Sequence, residues 1–257
     1  MGPPATQVNV PQLVPLDAIW CGAADFGSAD ASEGCFCGDA GAFVIKGATT
    51  DPHIPHSEWF CSSLAQIVGV PQVPYSLVRH TDGSLHFGSL WMKGKTPDWW
   101  TLALAGAIDF ASLADDLAKI YVFDLFINNE DRHVNNFMVV PEGQGHRVYS
   151  FDYSRAWLVN GFPLPDAIMS DANIATVNIK SWLLSNFGAF ISMDVANVIL
   201  DRIAGIDEAT IRRIIGDHPR DWLTQANEDA IIEWWTSGMA TARVETIRAG
   251  LQNGDFL

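Results

Sequence analysis

The sequence predicts an α+β fold in two parts: a small β-rich lobe with one helix, then a larger, mainly helical lobe. Three observations lead there. Short apolar runs separated by Gly- and Asp-containing turns fill the first third. A single stretch of helical periodicity interrupts them. Beyond it, apolar residues recur at helical spacing almost to the end. The length, 257 residues, suits one large domain or two lobes, and a 48% hydrophobic content with ten Trp supplies a sizeable core. Residues 1–13, with three Pro and no hydrophobic periodicity, are expected to be a flexible terminus, 14–92 the first lobe and 93–257 the second.

Taken in order, Leu16 to Cys21 is a short apolar run, and Gly22 to Gly34 reads as a small, flexible loop. The segments CFC and AFVIKG, joined by GDAG, form a hairpin-like unit. Pro55 to Val68 reads as a helix, with Pro55 in its first turn, Phe60, Leu64 and Ile67 at helical spacing, and Gly69 and Pro71 closing it. YSLVRH and SLHFGSLWM are strand-like, with a turn at Asp82-Gly83. KGKTP then breaks the pattern, which puts the join between lobes near Met92 to Pro97 and a cleft there. Ser112 is the expected cap of an apolar helix running to Ile127. FMVV and RVYSFDY, joined by PEGQG, make a second hairpin. From about Asn178 helix follows helix: one stripe is Val195, Val198, Ile199 and Ile203, another Ile211, Ile214 and Ile215, and a last long helix covers about Glu228 to Gly250. The doublets Trp99-Trp100 and Trp234-Trp235 cannot both face one narrow stripe, although core packing is expected for most of them. His53, His56 and His218 read as surface or capping residues.

The net charge of −15 argues against nucleic acid and anionic membrane as partners, since both select basic surfaces. The opening residues do not read as a signal peptide and no apolar run reaches membrane-spanning length, so a cytoplasmic, reduced protein is expected. Cys21, Cys35, Cys37 and Cys61 are then buried thiols. A zinc site from Cys35, Cys37, His53, His56 and Cys61 is conceivable, but the paired ligand spacing is absent.

The chemistry concentrates in INNEDRHVNNFMVV, Ile127 to Val140. Two Asn, Glu, Asp, Arg, His and two more Asn stand between apolar segments, where a turn needs only Gly or Asn-Gly. If Phe137–Val140 pairs back on Arg147–Phe151, the hairpin brings Asn136 toward Asp152, and Asp131, Asn136 and Asp152 converge. Phosphoryl transfer uses such a set: one carboxylate orients the attacking hydroxyl and takes its proton, while an Asn oxygen and a second carboxylate hold Mg²⁺. Lys46, on a strand after the Gly-containing loop, is placed to hold phosphates, and Glu58, on the lobe's one helix, to pair with it.

FDLFINNEDRHVNN resembles the catalytic loop of HipA-like kinases, of the form D-R-H-x-x-N, to which the loop of phosphatidylinositol 3- and 4-kinases is similar. SEWFCSSLAQIVGVPQVP looks like the helix of their first lobe, and DHPRDWL like a recurring element of their short forms. The resemblance spans most of residues 14–250 and implies a bilobal protein-kinase-like fold. It implies ATP and Mg²⁺ as cofactors, Asp131 as catalytic base, Asn136 and Asp152 as metal ligands and Lys46 as phosphate ligand. His133 would contact the nucleotide or brace the loop, Arg132 would brace it, and Asp124 would be a structural partner. Gly27 and Ser28 would lie over the phosphates, and Trp91 and Met92 would wall the base near a hinge at Ser89 to Met92. Ser28 and Ser32 are candidates for autophosphorylation.

Two departures stand out: the length leaves no room for the extra amino-terminal subdomain of full-length toxins, and Gly22–Gly34 is not G-x-G-x-x-G. The expected function is transfer of the γ-phosphate of ATP to a Ser or Thr hydroxyl of a protein. The alternatives are a small-molecule or lipid kinase, or a nucleotide-binding pseudokinase that regulates a partner.

Overall fold

The computed structural model describes residues 14–28, 31–47, 51–92, 96, 98–167 and 174–256, with the backbone alone for 24–28 and 31–32. The expected terminus, 1–13, and most of the expected join, 93–97, lie outside the described residues.

Strands β1 (Leu16–Asp17), β2 (Trp20–Ser28), β3 (Ala31–Phe36) and β4 (Ala42–Lys46) precede helix α1 (Ile54–Val68), and β5 (Tyr75–Arg79) and β6 (Leu85–Leu90) follow it. They form one sheet in the order β1-β5-β6-β4-β3-β2. Only β1–β5 is parallel. The run Leu16 to Cys21 is therefore two strands. The expected flexible loop, Gly22 to Gly34, is paired backbone: β2 and β3 run antiparallel through it, with a register shift between Ala23 and Ser28. The pairing continues inward, because β3 is also bonded to β4.

Side chains alternate between the two faces of the sheet. One face covers a small core of Cys35, Phe43, Ile45 and Val78. The other carries Phe87, Leu77 and Lys46, and packs on α1. Helix α1 is buried nearly all round, and its C-cap is Gly69 in the left-handed region, where a glycine costs least. Full burial of Phe60 and Leu64 contributes roughly 1.5–3 kcal/mol each.

The remaining elements are α2 (Trp99–Leu104), α3 (Ala114–Ile127), the hairpin β7 (Phe137–Glu142) and β8 (Gly145–Ser150), and helices α4 (Ala175–Phe187), α5 (Met193–Ala204), α6 (Glu208–Gly216), α7 (Gln225–Thr236) and α8 (Met239–Asn253). As expected, Phe137–Val140 pairs back on the segment from Arg147, with Phe137 opposite Ser150.

Several expectations change here. Ser112 does not cap α3: it lies in a 3₁₀ turn, where its Oγ donates to the Asp109 carbonyl and Asp109 accepts from the Ala111 N–H. The long last helix is two, broken at Gly238, whose φ is 86°. Val198 is exposed, off the stripe of Ile199 and Ile203. Trp234 and Trp235 are both buried, because α7 has neighbours on two sides: Phe162 packs on Trp234, while Trp235 meets Phe60 and donates to the Ile206 carbonyl.

His56 and His218, expected at the surface or as caps, are buried and joined, Nδ1 to Nε2, at 2.9 Å. Burial holds both imidazoles below their ordinary pKa, His56 far below. Cys21 and Cys35 are a disulfide rather than two thiols, while Cys37 and Cys61 are buried thiols as expected.

Candidate active site

The polar loop begins where α3 stops. Asn128 adopts φ 56°, a left-handed conformation that Asn tolerates, and turns the chain. Asn129 then donates its side-chain amide to Asp124 at 2.8 Å. Two of the loop's four Asn thus shape the backbone.

Arg132 is the centre of the loop. Its Nε and Nη2 hold both oxygens of Asp124 at 2.8 and 3.0 Å. Its Nη1 donates to the carbonyls of Asn136 at 3.0 Å and Phe151 at 2.5 Å. Phe137 and Tyr153 cover the guanidinium. Both charges are almost fully buried, at 1% and 0% exposure. Burial alone would lower the Arg132 pKa, but the Asp124 carboxylate raises it. The loop backbone is also tied to α4: Thr176 Oγ1 accepts from the Arg132 N–H at 3.0 Å and donates to the Asn129 carbonyl. The bracing expected of Arg132 and Asp124 is present.

Around this frame the predicted residues come together. Asn136 donates its side-chain amide to the Asp131 carbonyl at 2.7 Å, which leaves its Oδ1 as an acceptor. The Phe151 N–H reaches the Asn136 carbonyl at 3.4 Å, so Asp152 follows directly from the residue beside Asn136. Asp152 has φ 64°, a left-handed conformation rare for a non-glycine residue. Its Oδ1 accepts from Ser154 Oγ at 2.6 Å and from Lys46 Nζ at 2.5 Å. Lys46 Nζ also donates to Glu58 Oε1 at 2.6 Å. Lys46, Glu58 and Asp152 thereby form one bonded set, and the backbone bond from Phe151 to Asn136 brings Asn136 and Asp131 beside it.

Its electrostatics are strongly coupled. Burial opposes the charge on Lys46, yet Asp152 and Glu58 raise its pKa above the ordinary lysine range. Burial would raise Asp152, but Lys46 and the Ser154 hydrogen bonds hold it below the usual carboxylate range. Glu58 is raised by burial, with Lys46 opposing and Asp152 adding. The Asp131 carboxylate, partly exposed, makes no hydrogen bond or ion pair among the described residues.

Other predicted residues are placed differently. His133 Nδ1 accepts from the Asn135 N–H at 3.3 Å and so caps the turn that carries Asn136. Trp91 is exposed, and its N–H donates to the Ala42 carbonyl, extending the β4–β6 pairing past Leu90; Met92 is half-buried beside it. Gly27 and Ser28 end β2, with Ser28 opposite Ala31. Ser32 lies in β3, and the side chains of Ser28 and Ser32 lie outside the described residues.

Two residues that the sequence reading missed join Trp91. Trp20 is opposite Phe36, and the alternation that puts Lys46 on one face of β4 puts both on that same face. Trp20 is 61% exposed and Phe36 45%. The Trp20 ring lies across Gly22, where a Cβ would fall 2.3 Å from it. Exposed aromatics with a glycine between small strands are the signal that was there to read.

A family model for HipA-like kinases matches residues 32–160. Among solved structures, the chain is similar to the proinflammatory kinase CtkA of Helicobacter pylori, with 14% identity and a TM-score of 0.61 over 93% of this chain and 100% of that one. It is less similar to HipA of Shewanella oneidensis, solved with HipB and operator DNA, at 13% identity and a TM-score of 0.47 over 81% and 60% of the two chains. No curated protein matches it in sequence.

Proposed function

This chain belongs to the HipA-like kinase family, and on that premise we propose that it transfers the γ-phosphate of ATP, with Mg²⁺, to a Ser or Thr hydroxyl of a protein. One observation carries the reading: Lys46 bonds both Glu58 and Asp152, although 106 residues separate it from Asp152, and the Phe151 N–H beside Asp152 bonds Asn136, which in turn bonds the Asp131 carbonyl.

Each residue has a role in this proposal. Asp131, whose carboxylate has no partner among the described residues, accepts the proton of the attacking hydroxyl. Asn136 Oδ1 and the Asp152 carboxylate are the hard oxygen donors that suit Mg²⁺, so the donor set fits the ion. When bound, the ion neutralises charge on the phosphates. Lys46 meets the phosphates while Glu58 holds its side chain in place. Gly27 and Ser28, at the tip of β2, cover the phosphates, and His133 keeps Asn136 in position. Trp20, Phe36, Trp91 and Met92 line the base. Aromatic faces suit adenine because stacking needs no specific hydrogen bond. The division into lobes at residues 92 and 93 and a cytoplasmic location complete the proposal. No helix among the described residues is long and apolar enough to cross a membrane.

The test is incubation with γ-labelled ATP and Mg²⁺, with and without a generic Ser/Thr protein acceptor, beside Asp131→Asn. Intact mass and label transfer are read. Loss of a general base costs about 10²- to 10⁴-fold in rate. Label in the wild type and its loss in Asp131→Asn, with nucleotide affinity retained, is the expected result. Equal transfer by the variant overturns the assignment of the base. Nucleotide binding without any transfer favours the pseudokinase.

A further inference from the structure

The disulfide lies in a cluster that the phosphoryl-transfer site does not use. The Sγ atoms of Cys21 and Cys35 and a ring nitrogen of His80 all lie within 4.8 Å of one another. The grouping follows from the fold. Cys21 and Cys35 are direct partners across β2 and β3. His80 follows β5, and the sheet curls so that Val78 shares the small core with Cys35. Both ring nitrogens of His80 have a carboxylate beside them: Glu33 Oε1 is 3.2 Å from Nε2, and Asp82 Oδ1 is 3.1 Å from Nδ1. Glu33 is held on the same face as Cys35, two residues away.

We propose that reduction of the Cys21–Cys35 disulfide converts this cluster into a Zn²⁺ site with Cys21, Cys35 and His80 as ligands. Two thiolates and an imidazole suit this ion. Tetrahedral coordination with Zn–S near 2.3 Å and Zn–N near 2.0–2.1 Å needs ligand atoms roughly 3.3–3.8 Å apart. The His80 nitrogen lies within 4.8 Å of both sulfurs, and the sulfurs can separate to that range once the bond between them is broken. Whichever nitrogen binds the ion, the other keeps a carboxylate, which fixes the ring and raises its basicity. Cys21 and His80 are both partly exposed, so reductant, ion and a water for the fourth position have access.

The chemistry balances. A dithiol reductant gives two electrons to the disulfide and becomes a disulfide itself. The two thiols formed lose two protons as Zn²⁺ binds. Disulfide and metal are mutually exclusive, and either one ties β2 to β3. The metal alone would also tie that hairpin to the end of β5. The zinc ligands imagined from sequence, Cys37, Cys61, His53 and His56, are not part of the cluster.

The test uses the full chain, reduced with a phosphine, desalted without oxygen and titrated with Co²⁺ and then Zn²⁺ against a chromophoric chelator. Thiols are counted before and after reduction. The expected result is one ion per chain, thiolate-to-cobalt charge-transfer absorption, displacement of Co²⁺ by Zn²⁺, and no such binding by the oxidised protein. His80→Asn, a change at a partly exposed residue, should weaken Zn²⁺ binding at least tenfold with the far-ultraviolet circular dichroism unchanged. The proposal is overturned if the two thiols cannot be freed in the folded chain. It is also overturned if the reduced chain binds no ion, if oxidised and reduced chains bind equally, or if Cys21→Ser and His80→Asn both leave the affinity intact.

Discussion

Arg132→Met tests whether the loop is held by a buried charge rather than by its own backbone preference. The substitution keeps much of the side-chain length and leaves Asp124, which is 0% exposed, without its cation. Two carbonyls, of Asn136 and Phe151, lose their donor as well. Breaking a buried pair by removing one partner costs about 3–5 kcal/mol. Domains of this kind are stable by about 5–15 kcal/mol, so the loss is a large share of the total. At about 2–4 °C per kcal/mol for a chain of this size, the midpoint should fall by about 6–20 °C. The assay is denaturant unfolding followed by tryptophan fluorescence, with thermal scans as a second probe. Pairing the change with Asp124→Leu removes both charges, and the double variant should be more stable than Arg132→Met by at least about 1 kcal/mol. A loss below about 1 kcal/mol in the single variant, or a double variant no better than it, would refute the reasoning.

Three further outcomes follow from the same geometry. Glu58→Gln keeps the shape and removes one charged partner of Lys46. A hydrogen bond to a charged group is worth about 1.5–3 kcal/mol, so kcat/KM for phosphoryl transfer should fall about 10- to 100-fold, and an unchanged value would count against the pairing role. Trp20→Ala should weaken nucleotide binding by about 1–3 kcal/mol in calorimetry while hardly moving the melting temperature, since the ring is exposed; equal affinity would remove Trp20 from the base site. The third concerns pH. His56 and His218 have lowered folded-state pKa values, so below an unfolded value near 6.5 the unfolded chain binds more protons and stability falls with pH. Each contributes a slope of up to about 1.4 kcal/mol per pH unit. Denaturation midpoints between pH 7 and 5 should drop, and His56→Phe should flatten the drop; parallel profiles would exclude the pair as its source.

The loop was legible because its residue types are costly anywhere else. Asp131, Arg132 and Asn136 stand between the apolar runs of α3 and β7, and the buried Arg132 and Asn136 are tolerated there because they are bonded. The pairing of Lys46 with Glu58 was legible from element order. What stayed hidden depends on long-range placement. His56 and His218 are 162 residues apart, and nothing local to either announces the other. The exposed face of Trp20 and Phe36 needs the β2–β3 register, which the reading of Gly22 to Gly34 as a loop concealed. The disulfide was hidden for the same reason, since Cys21 and Cys35 meet only through that register. The break at Gly238 is written locally, since Ser-Gly after an apolar turn is a helix stop, but helical periodicity continues on either side of it.

Helix α1 decides which part of the site can move. Its first turns bear both Glu58, which holds Lys46, and His56, which holds His218. The Trp59 indole N–H donates to the Ile214 carbonyl at 2.9 Å, Phe60 stacks on Trp157, and Arg202 donates to the Val68 carbonyl at the far end. These ties join α1 to α5, to α6 and to the turn after Asp152. Swinging the helix away would therefore expose several buried aromatic residues and orphan the Ile214 and Val68 carbonyls, at about 1–3 kcal/mol for each unsatisfied group. The Lys46–Glu58 pair is for that reason fixed relative to the loop that carries Asp131. In the β2–β3 hairpin the freer strand is β2, which lies at the sheet edge and is bonded to β3 alone, whereas β3 is also bonded to β4. Elements with few buried contacts open at the least cost. If the proposed nucleotide site lies beneath Trp20 and Phe36, its outer strand, β2, is the part that opens at least cost, over a floor fixed by α1. The Cys21–Cys35 link ties β2 to β3 and, through β3, to the rest of the sheet.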